Sequence, residues 1–355
     1  MSLNRIDLPK DIIALLDKGV VIPAHPLALN SRREFDQKRQ AALTRYYIDA
    51  GAGGLAVGVH TTQFSIRNVG LYEPVLRHAM QECLAWSNRP IVMIAGVCGL
   101  TQQAKSEAQI AVSLGYHAGL LSLGAFPNAS EDELINHCEA ISNEIPLFGF
   151  YLQTAVGGPT LSSNFWRRFA KIKNVLAIKV AAFNRYRTLD VIRGLVEARA
   201  EDDIFLYTGN DDHIVLDLAL PFIAMRDGQE ITVRFRGGLL GHWSVWTSGA
   251  TKTFDLIKSE LAIKHGSLSA KLLSLDARIT DCNSAFFDVA NNYNGCIAGC
   301  HEVLRRQGLL EGIWCLDPSE KLSPGQTEEI DRVCREHSDL GDDQFVVRNI
   351  DRWLS

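Results

Sequence analysis

The 355-residue sequence predicts a (β/α)8 barrel followed by a helical appendage at the C-terminal end. Short apolar runs alternate with amphipathic helical stretches, as expected for parallel strands joined by helical crossovers. The runs number eight, which is the number of strands that closes such a barrel. A doubly wound Rossmann sheet is the main alternative. It requires a G-x-G-x-x-G motif after the first strand, where this chain has AHPLALN (24–30) instead.

The eight predicted strands are short apolar runs. They cover residues 19–24, 54–59, 90–96, 119–123, 146–151, 174–179, 204–209 and 237–241. Helices are predicted near residues 34–50, 73–86, 101–114, 130–141, from 162 onward, and near 188–198. Ser130 and Glu133 have the spacing of a capping box, which predicts the start of the helix near residue 130.

The region after the seventh strand departs from this rhythm. Residues 228–236 alternate apolar and polar side chains, which predicts an exposed strand or hairpin arm inserted into the barrel. From about residue 248 the pattern becomes helical. We therefore expect a barrel domain over residues 12–248 and a helical appendage over residues 249–355.

Charge and composition exclude several classes of protein. The chain has 36 Lys and Arg against 41 Asp and Glu, so its net charge of −5 gives no support for a nucleic-acid or membrane-surface partner. Since the chain lacks a membrane-length apolar run and a signal-peptide core, we expect a cytoplasmic protein. Cys296, Cys300 and His301 form a cluster without a second ligand pair, which favours buried or half-buried helix cysteines over a zinc site.

Lys179 is the clearest candidate for chemistry. In a (β/α)8 barrel the reactive groups lie at the C-terminal ends of the strands, and Lys179 directly follows the apolar residues of the sixth strand. If the side chain is held inside the barrel mouth, desolvation lowers its pKa and the neutral amine can attack a carbonyl group. The alternative is a lysine at the rim whose ammonium group stays in water.

Tyr151 is the second candidate. Period-two alternation places Gly149 and Tyr151 on one face of the fifth strand, and Ala177 and Lys179 on one face of the sixth. We therefore expect Tyr151 and Lys179 to meet at the same end of adjacent strands, where a phenol can transfer protons. The alternative is a core tyrosine with its hydroxyl at the wet edge.

Six segments carry a family resemblance, in the same order along the chain. They are VIPAHPL (21–27), GAGGLAVGVHTTQ (51–63), IAGVCG (94–99), FYLQTAVGGPTLS (150–162), VLAIKVA (175–181) and LYTGND (206–211). The sequence resembles the dihydrodipicolinate synthase/N-acetylneuraminate lyase family, which are Schiff-base class I aldolases built on a (β/α)8 barrel. The resemblance spans roughly residues 12–250, and the spacing from the tyrosine to the lysine is its most specific part.

The resemblance implies a role for each matched residue. Lys179 would form an imine with a small 2-oxo acid such as pyruvate, and Tyr151 would transfer protons. Thr61 and Thr62 would hold the substrate carboxylate, and Thr61 would also link to Tyr151. Because the protonated imine is itself the electron sink, no metal or organic cofactor is expected. The family is commonly tetrameric, which predicts a homo-oligomer, either a dimer or a tetramer.

The sequence also departs from the family pattern. The usual Gly-Thr-Thr-Gly-Glu loop is HTTQF (60–64) here. The second tyrosine of the synthases falls near Ala125 or Phe126, and their arginine after the tyrosine strand falls near Val156. These departures predict a divergent lyase, aldolase or dehydratase rather than the synthase of lysine biosynthesis.

Further polar groups follow the predicted strands. Gly209 and Asn210 end the seventh strand, His242 follows the eighth, and His60 lies beside the threonines, so we expect these four residues in the substrate site. Residues 210–213 also fit a helix cap. Two other functions stay open: a non-catalytic ligand-binding barrel, and a metal-dependent barrel that uses residues 211–213.

Overall fold

The computed structural model describes residues 2–263 and 267–355. The described strands are β1 (Val21–Pro23), β2 (Gly54–Val57), β3 (Val92–Val97), β4 (Ala118–Leu121), β5 (Leu147–Leu152), β6 (Val175–Ala181), β7 (Phe205–Thr208), β8 (Phe222–Arg226), β9 (Gln229–Val233) and β10 (Gly237–Leu240). All but β8 and β9 belong to an eight-stranded sheet with the order β1-β10-β7-β6-β5-β4-β3-β2. This strand order confirms the predicted (β/α)8 fold.

Helices follow most of the barrel strands and form the C-terminal appendage. The described α-helices are α1 (Lys10–Lys18), α2 (Gln37–Asp49), α3 (Tyr72–Trp86), α4 (Thr101–Ser113), α5 (Glu131–Ser142), α6 (Ser163–Phe169), α7 (Arg185–Glu197), α8 (Ile214–Ala219), α9 (Thr247–Ile263), α10 (Ala270–Phe286), α11 (Cys296–Arg306), α12 (Gln326–Glu336) and α13 (Asp343–Trp353). None of the described helices is long and apolar enough to cross a bilayer.

Side-chain caps explain where several helices begin. Ser130 Oγ accepts from Glu133 N at 3.3 Å and Glu133 Oε2 accepts from Ser130 N at 2.8 Å, which confirms the predicted capping box. Helix α7 begins three residues earlier than predicted, at Arg185 rather than near residue 188. The reason is Asn184, whose Oδ1 accepts from Tyr186 N at 3.0 Å and fixes the first turn.

The predicted insertion is a β-hairpin. Strands β8 and β9 pair antiparallel, with Arg226 opposite Gln229 across a two-residue turn. Asp227 (φ 52°) and Gly228 (φ 77°) both have positive φ, as a type I′ hairpin turn requires. The alternating pattern of residues 228–236 therefore predicted this element correctly.

The chain divides into two compact units. The first comprises Met1–Val20, Val92–Asn210 and Asp217–Leu239, and it contains the lysine strand β6. The second comprises Val21–Ile91, Asp211–Leu216 and Leu240–Ser355, and it contains the predicted threonine loop and the appendage. The predicted domain boundary at residues 248–249 lies within the first turn of α9.

Within the second unit, Asp342 connects the start of α13 to α2, to the start of α9 and to the end of α11. Its carboxylate accepts from Tyr46 Oη at 2.7 Å, from Ser248 N at 2.9 Å and from Gln307 Nε2 at 2.8 Å. Desolvation raises the pKa of the Asp342 carboxyl, and these three donors oppose that rise. A buried carboxyl with three donors is the arrangement expected of a structural junction.

The cysteine cluster is also structural. Cys296, Cys300 and His301 all lie on α11, where Cys300 and His301 are buried and Cys296 is half-buried. The cysteines of the described residues are free thiols. This confirms the prediction of helix cysteines in the protein interior.

Candidate active site

Lys179 is buried near the C-terminal end of β6, with 8% of its surface exposed. Strand register places Phe150 of β5 opposite Lys179 on one side and Tyr207 of β7 opposite it on the other. The Nζ atom lies 4.6 Å from the centre of the Phe150 ring, within cation–π distance. Of the two placements predicted for Lys179, the structure has the inward one rather than the solvated rim.

Gly209 makes room for the lysine. A Cβ atom at Gly209 would lie 2.5 Å from Lys179 Cε and 2.8 Å from Ala181 Cβ, both closer than van der Waals contact allows. The aliphatic stem of Lys179 therefore runs across the bare backbone of residue 209. Sequence analysis placed Gly209 in the site, and its position beside Lys179 explains why a larger residue does not fit there.

Tyr151 lies near the end of β5, the same end at which Lys179 lies on β6, but the register does not set the two side chains opposite each other as predicted. The register pairs Phe150 with Lys179 and Tyr151 with Val180. A register shift near Leu147 gives β6 one extra residue, so the alternation of the two strands no longer matches. Tyr151 consequently points to the face opposite that of Lys179.

The contacts of Tyr151 agree with this orientation. Its ring lies 5.4 Å from the ring of Trp166 on α6. Its hydroxyl donates to Leu161 O and accepts from Leu161 N, both at 3.1 Å. Desolvation raises the pKa of Tyr151, opposed by the bond from the Leu161 backbone. These contacts are those of a buried tyrosine that fixes the loop after β5, and its predicted proton transfer stays a prediction.

Asn210 is used inside the protein rather than left open to a ligand. Its Nδ2 donates to Asp217 Oδ2 at 2.9 Å and to Thr188 Oγ1 at 3.2 Å. Its Oδ1 accepts from the backbone N of Phe183 at 3.0 Å. Phe183 has a positive φ of 48° and lies two residues beyond β6. Asn210 therefore holds the turn after the lysine strand, with its donors and its acceptor all engaged.

Residues 58–64 form what we call the threonine loop, in the second unit. Thr61 Oγ1 donates to Ala24 O at 2.8 Å, and Thr62 Oγ1 donates to His25 O at 2.6 Å. Thr62 Oγ1 also accepts from Gly58 N at 2.9 Å. Both hydroxyls thus tie the loop to the end of β1. The adjacent His60 is half-buried, with its ring 5.8 Å from that of Phe64.

His25 is a buried polar residue that sequence analysis did not single out. Its Nε2 lies 2.9 Å from Thr44 Oγ1 and its Nδ1 lies 2.9 Å from Pro26 O. Burial lowers the pKa of His25 to about 4, so the ring is neutral at pH 7. The available signal was a histidine directly after the apolar run of the first strand.

His242 and Asp211 lie together in the second unit. Asp211 Oδ1 accepts from the backbone N of His242 at 2.8 Å, and the His242 ring stacks on Phe286 with centres 6.2 Å apart. Burial lowers the pKa of His242 to about 4. Its imidazole is therefore neutral at pH 7 and can accept or donate a hydrogen bond, as a binding role requires.

The residues that follow β7 have different partners. His213 Nδ1 lies 3.2 Å from Asp276 Oδ2, whereas Asp211 Oδ1 accepts from His242 N. Among the residues described, a group with the spacing of metal ligands is found elsewhere, at Asp281, Glu336 and His337. There the Asp281 carboxylate already accepts two bonds from a single arginine, at 2.8 and 2.9 Å, which is an ion pair.

Comparisons with known proteins agree with this fold. The model of the Dihydrodipicolinate synthetase family matches residues 18–221. The 4-hydroxy-tetrahydrodipicolinate synthase of Synechocystis sp. is 24% identical over 225 residues, 63% of this chain and 70% of that protein. The N-acetylneuraminate lyase 2 of Escherichia coli is 22% identical over 318 residues, 88% of this chain and 91% of that protein.

Solved structures give the same result. The crystal structure of the chloride-inhibited dihydrodipicolinate synthase from Acinetobacter baumannii complexed with pyruvate matches with a TM-score of 0.73 and 18% identity. The match covers 90% of this chain and 99% of that chain, and at this identity it shows the fold alone. Since the family model covers more than half of the 355 residues, the chain belongs to the dihydrodipicolinate synthetase family.

Proposed function

We propose that this protein is a Schiff-base lyase or aldolase that acts on a small 2-oxo acid such as pyruvate, with the imine on Lys179. Members of its family are Schiff-base lyases and aldolases that act on pyruvate. The observation that carries the proposal is the burial of Lys179 at the end of β6, with Nζ 4.6 Å from the Phe150 ring centre.

The chemistry follows from that environment. In the proposed first step, the neutral amine of Lys179 attacks the 2-oxo carbon. The carbinolamine that forms then loses water to give an imine between Nζ and the former carbonyl carbon. When this imine is protonated, its positive charge lies beside the face of Phe150, which stabilises a cation. The iminium accepts the electron pair of the bond that breaks, so the proposed reaction needs no further cofactor.

The remaining predicted residues have proposed roles of two kinds. Thr61 and Thr62 are proposed to hold the substrate carboxylate, and His60 and His242 to contact the rest of the substrate. Asn210 is proposed to position the end of β6 through the Phe183 backbone, since its own amide is fully bonded. The departures of the threonine loop support a lyase, aldolase or dehydratase other than the synthase of lysine biosynthesis. We also propose a cytoplasmic homo-oligomer.

A second function is a ligand-binding barrel without catalysis. The observation that favours it is the Tyr151 hydroxyl, which bonds to the Leu161 backbone on the face opposite that of Lys179. If no other group transfers protons at the carbinolamine, the lysine could bind an oxo acid without completing a reaction cycle. The two functions differ in whether a covalent adduct forms and whether substrate turns over.

Borohydride trapping tests the proposal. The protein is incubated with pyruvate and other 2-oxo acids, reduced, and mapped by peptide mass spectrometry. We expect the mass of the reduced adduct on Lys179 in the wild type and in Lys173→Arg, a control at a lysine just before the start of the same strand. We expect none in Lys179→Arg, since a guanidinium stays protonated and cannot form the imine.

Other results would select another function. Binding of an oxo acid without adduct or turnover would favour the ligand-binding barrel. Absence of any adduct, together with activity that is lost on chelation, would favour a metal-dependent enzyme. An adduct that maps to a different lysine would contradict the assignment of Lys179.

A further inference from the structure

Gln63 has a backbone conformation that its residue type disfavours. Its φ is 67° and its ψ is 116°, a combination suited to glycine rather than to a residue with a Cβ atom. Gln63 occupies the position where the family loop Gly-Thr-Thr-Gly-Glu has its second glycine. This chain therefore places a residue with a Cβ atom in a turn conformation that favours glycine.

The side chain of Gln63 is held by a distant part of the chain. Its Oε1 accepts from the backbone N of Leu316 at 2.6 Å, and the residue is 3% exposed. Leu316 lies in residues 309–321, which we call the C-terminal strap, between α11 and α12. This bond joins positions 253 residues apart within the second unit.

The strap is itself fixed to the second unit. Leu309, Leu310 and Cys315 are buried, and Arg33 donates from Nη1 to the backbone O of Cys315, the residue before Leu316. These contacts fix the strap independently of its bond to Gln63. The strap can therefore restrict the conformation of the threonine loop.

The threonines are the residues next to Gln63. The N–H of Gln63 bonds to His60 O at 2.9 Å and that of Thr62 bonds to Val59 O at 3.0 Å, so a change in the turn at Gln63 is passed directly to Thr62. We propose that Gln63 is a positioning residue through which the C-terminal strap holds the threonine loop in its substrate-binding conformation. The role of the loop in binding a 2-oxo acid carboxylate rests on the proposed function.

Three variants and one control variant distinguish loss of the link between strap and loop from a general loss of structure. Gln63→Gly removes the bond to Leu316 and also relieves the backbone strain, so the chain is expected to fold. Gln63→Glu keeps an oxygen for the Leu316 N–H and replaces Nε2, which has no hydrogen-bond partner among the described residues, by an ionisable oxygen. Arg33→Ala loosens the strap without touching the loop, and Arg32→Ala is its control at a side chain 77% exposed.

Two readouts are measured for each variant. Amide hydrogen exchange of residues 58–64 is expected to rise roughly tenfold in Gln63→Gly and in Arg33→Ala, and to match the wild type in Arg32→Ala. The pyruvate concentration that half-saturates borohydride trapping is expected to rise roughly tenfold in the same two variants, with little change in the maximal rate. Gln63→Glu is expected to restore most of that affinity.

The two measurements test the proposed function and the link between strap and loop independently. If the wild type forms no adduct with any 2-oxo acid, the proposed function fails while the exchange data still test the link. Exchange in residues 58–64 that is unchanged in both Gln63→Gly and Arg33→Ala overturns the link itself. Faster exchange with unchanged half-saturation by pyruvate overturns its connection to substrate binding.

Discussion

The lysine strand β6 and the threonine loop are held in place in opposite ways. Lys179 is surrounded by residues of adjacent strands, with Phe150 on one side and the bare backbone of Gly209 on the other. The threonine loop is tied to the end of β1 by its two hydroxyls and is also held from outside the barrel strands, by the bond from Leu316 to Gln63. The lysine depends on the regular geometry of the sheet, whereas the loop depends in addition on a segment that follows the barrel in sequence.

This difference indicates where the protein can change its specificity. A lysine between neighbouring strands keeps its place as long as the sheet keeps its register. A loop held by a distant segment can be rebuilt together with that segment while the strands stay unchanged. The two kinds of support predict different responses to small substitutions in the two units.

The largest effect is expected at a glycine beside the lysine. Gly209→Ala places a methyl group 2.5 Å from Lys179 Cε, so the lysine must move and the rate of borohydride trapping should fall about 100-fold. The matched variant in the second unit is Gly241→Ala, where φ is −63° and the nearest atom is a ring carbon at 3.2 Å. Equal losses in the two variants would contradict the tighter fit around Lys179.

The place of Lys179 near the end of β6 could be predicted from local pattern, whereas the pattern left its inward orientation open against a solvated rim. An apolar run that ends in a lysine is visible in the sequence, and parallel strands bring their C-terminal ends to one side. The face of Tyr151 could not be predicted in this way. Period-two alternation assumes a regular strand, and the extra residue near Val175 reverses the face although β6 itself contains no glycine or proline to signal it.

The bond that holds the threonine loop could not be predicted from the sequence pattern either. HTTQF shows that both family glycines are absent, but it does not show that residue 63 keeps a positive φ. The partner that stabilises this turn lies 253 residues away, in a segment without regular structure that separates α11 from α12. Contacts of this range depend on the packed tertiary structure, which local propensity does not encode.

Histidines of both units, four of them buried and His117 half-buried, make the stability of the protein depend on pH. Burial lowers the pKa of five histidines to about 4, two in the first unit and three in the second: His117, His137, His25, His242 and His301. In the unfolded chain these histidines are protonated as the pH falls below about 6.5, whereas in the folded protein they stay neutral until the pH falls to about 4. Stability is therefore fully present above pH 6.5 and is lost as the pH falls toward 4.

Urea unfolding between pH 7 and pH 5 measures this loss. Each buried histidine that is protonated in the unfolded chain but neutral in the folded protein should lower the free energy of unfolding by about 1.4 kcal/mol per pH unit. His117→Gln should reduce this pH dependence, because the Nδ1 that accepts from Met93 N is no longer titrated. His213→Gln is the control at a half-exposed ring. A free energy of unfolding that is constant between pH 7 and pH 5 would contradict the prediction.

The smallest effect is expected at Tyr151, and it decides the role of this residue. Tyr151→Phe removes a hydroxyl bonded to the Leu161 backbone, which should lower the free energy of unfolding by about 1 kcal/mol. Tyr207→Phe is the matched control, since its hydroxyl donates to Leu16 O at 2.9 Å, and we expect a similar loss of stability. From the orientation of Tyr151 toward Trp166 we expect turnover within about tenfold of the wild type in both variants. A loss of about 100-fold or more in Tyr151→Phe alone would contradict this expectation and indicate that the Tyr151 phenol takes part in proton transfer.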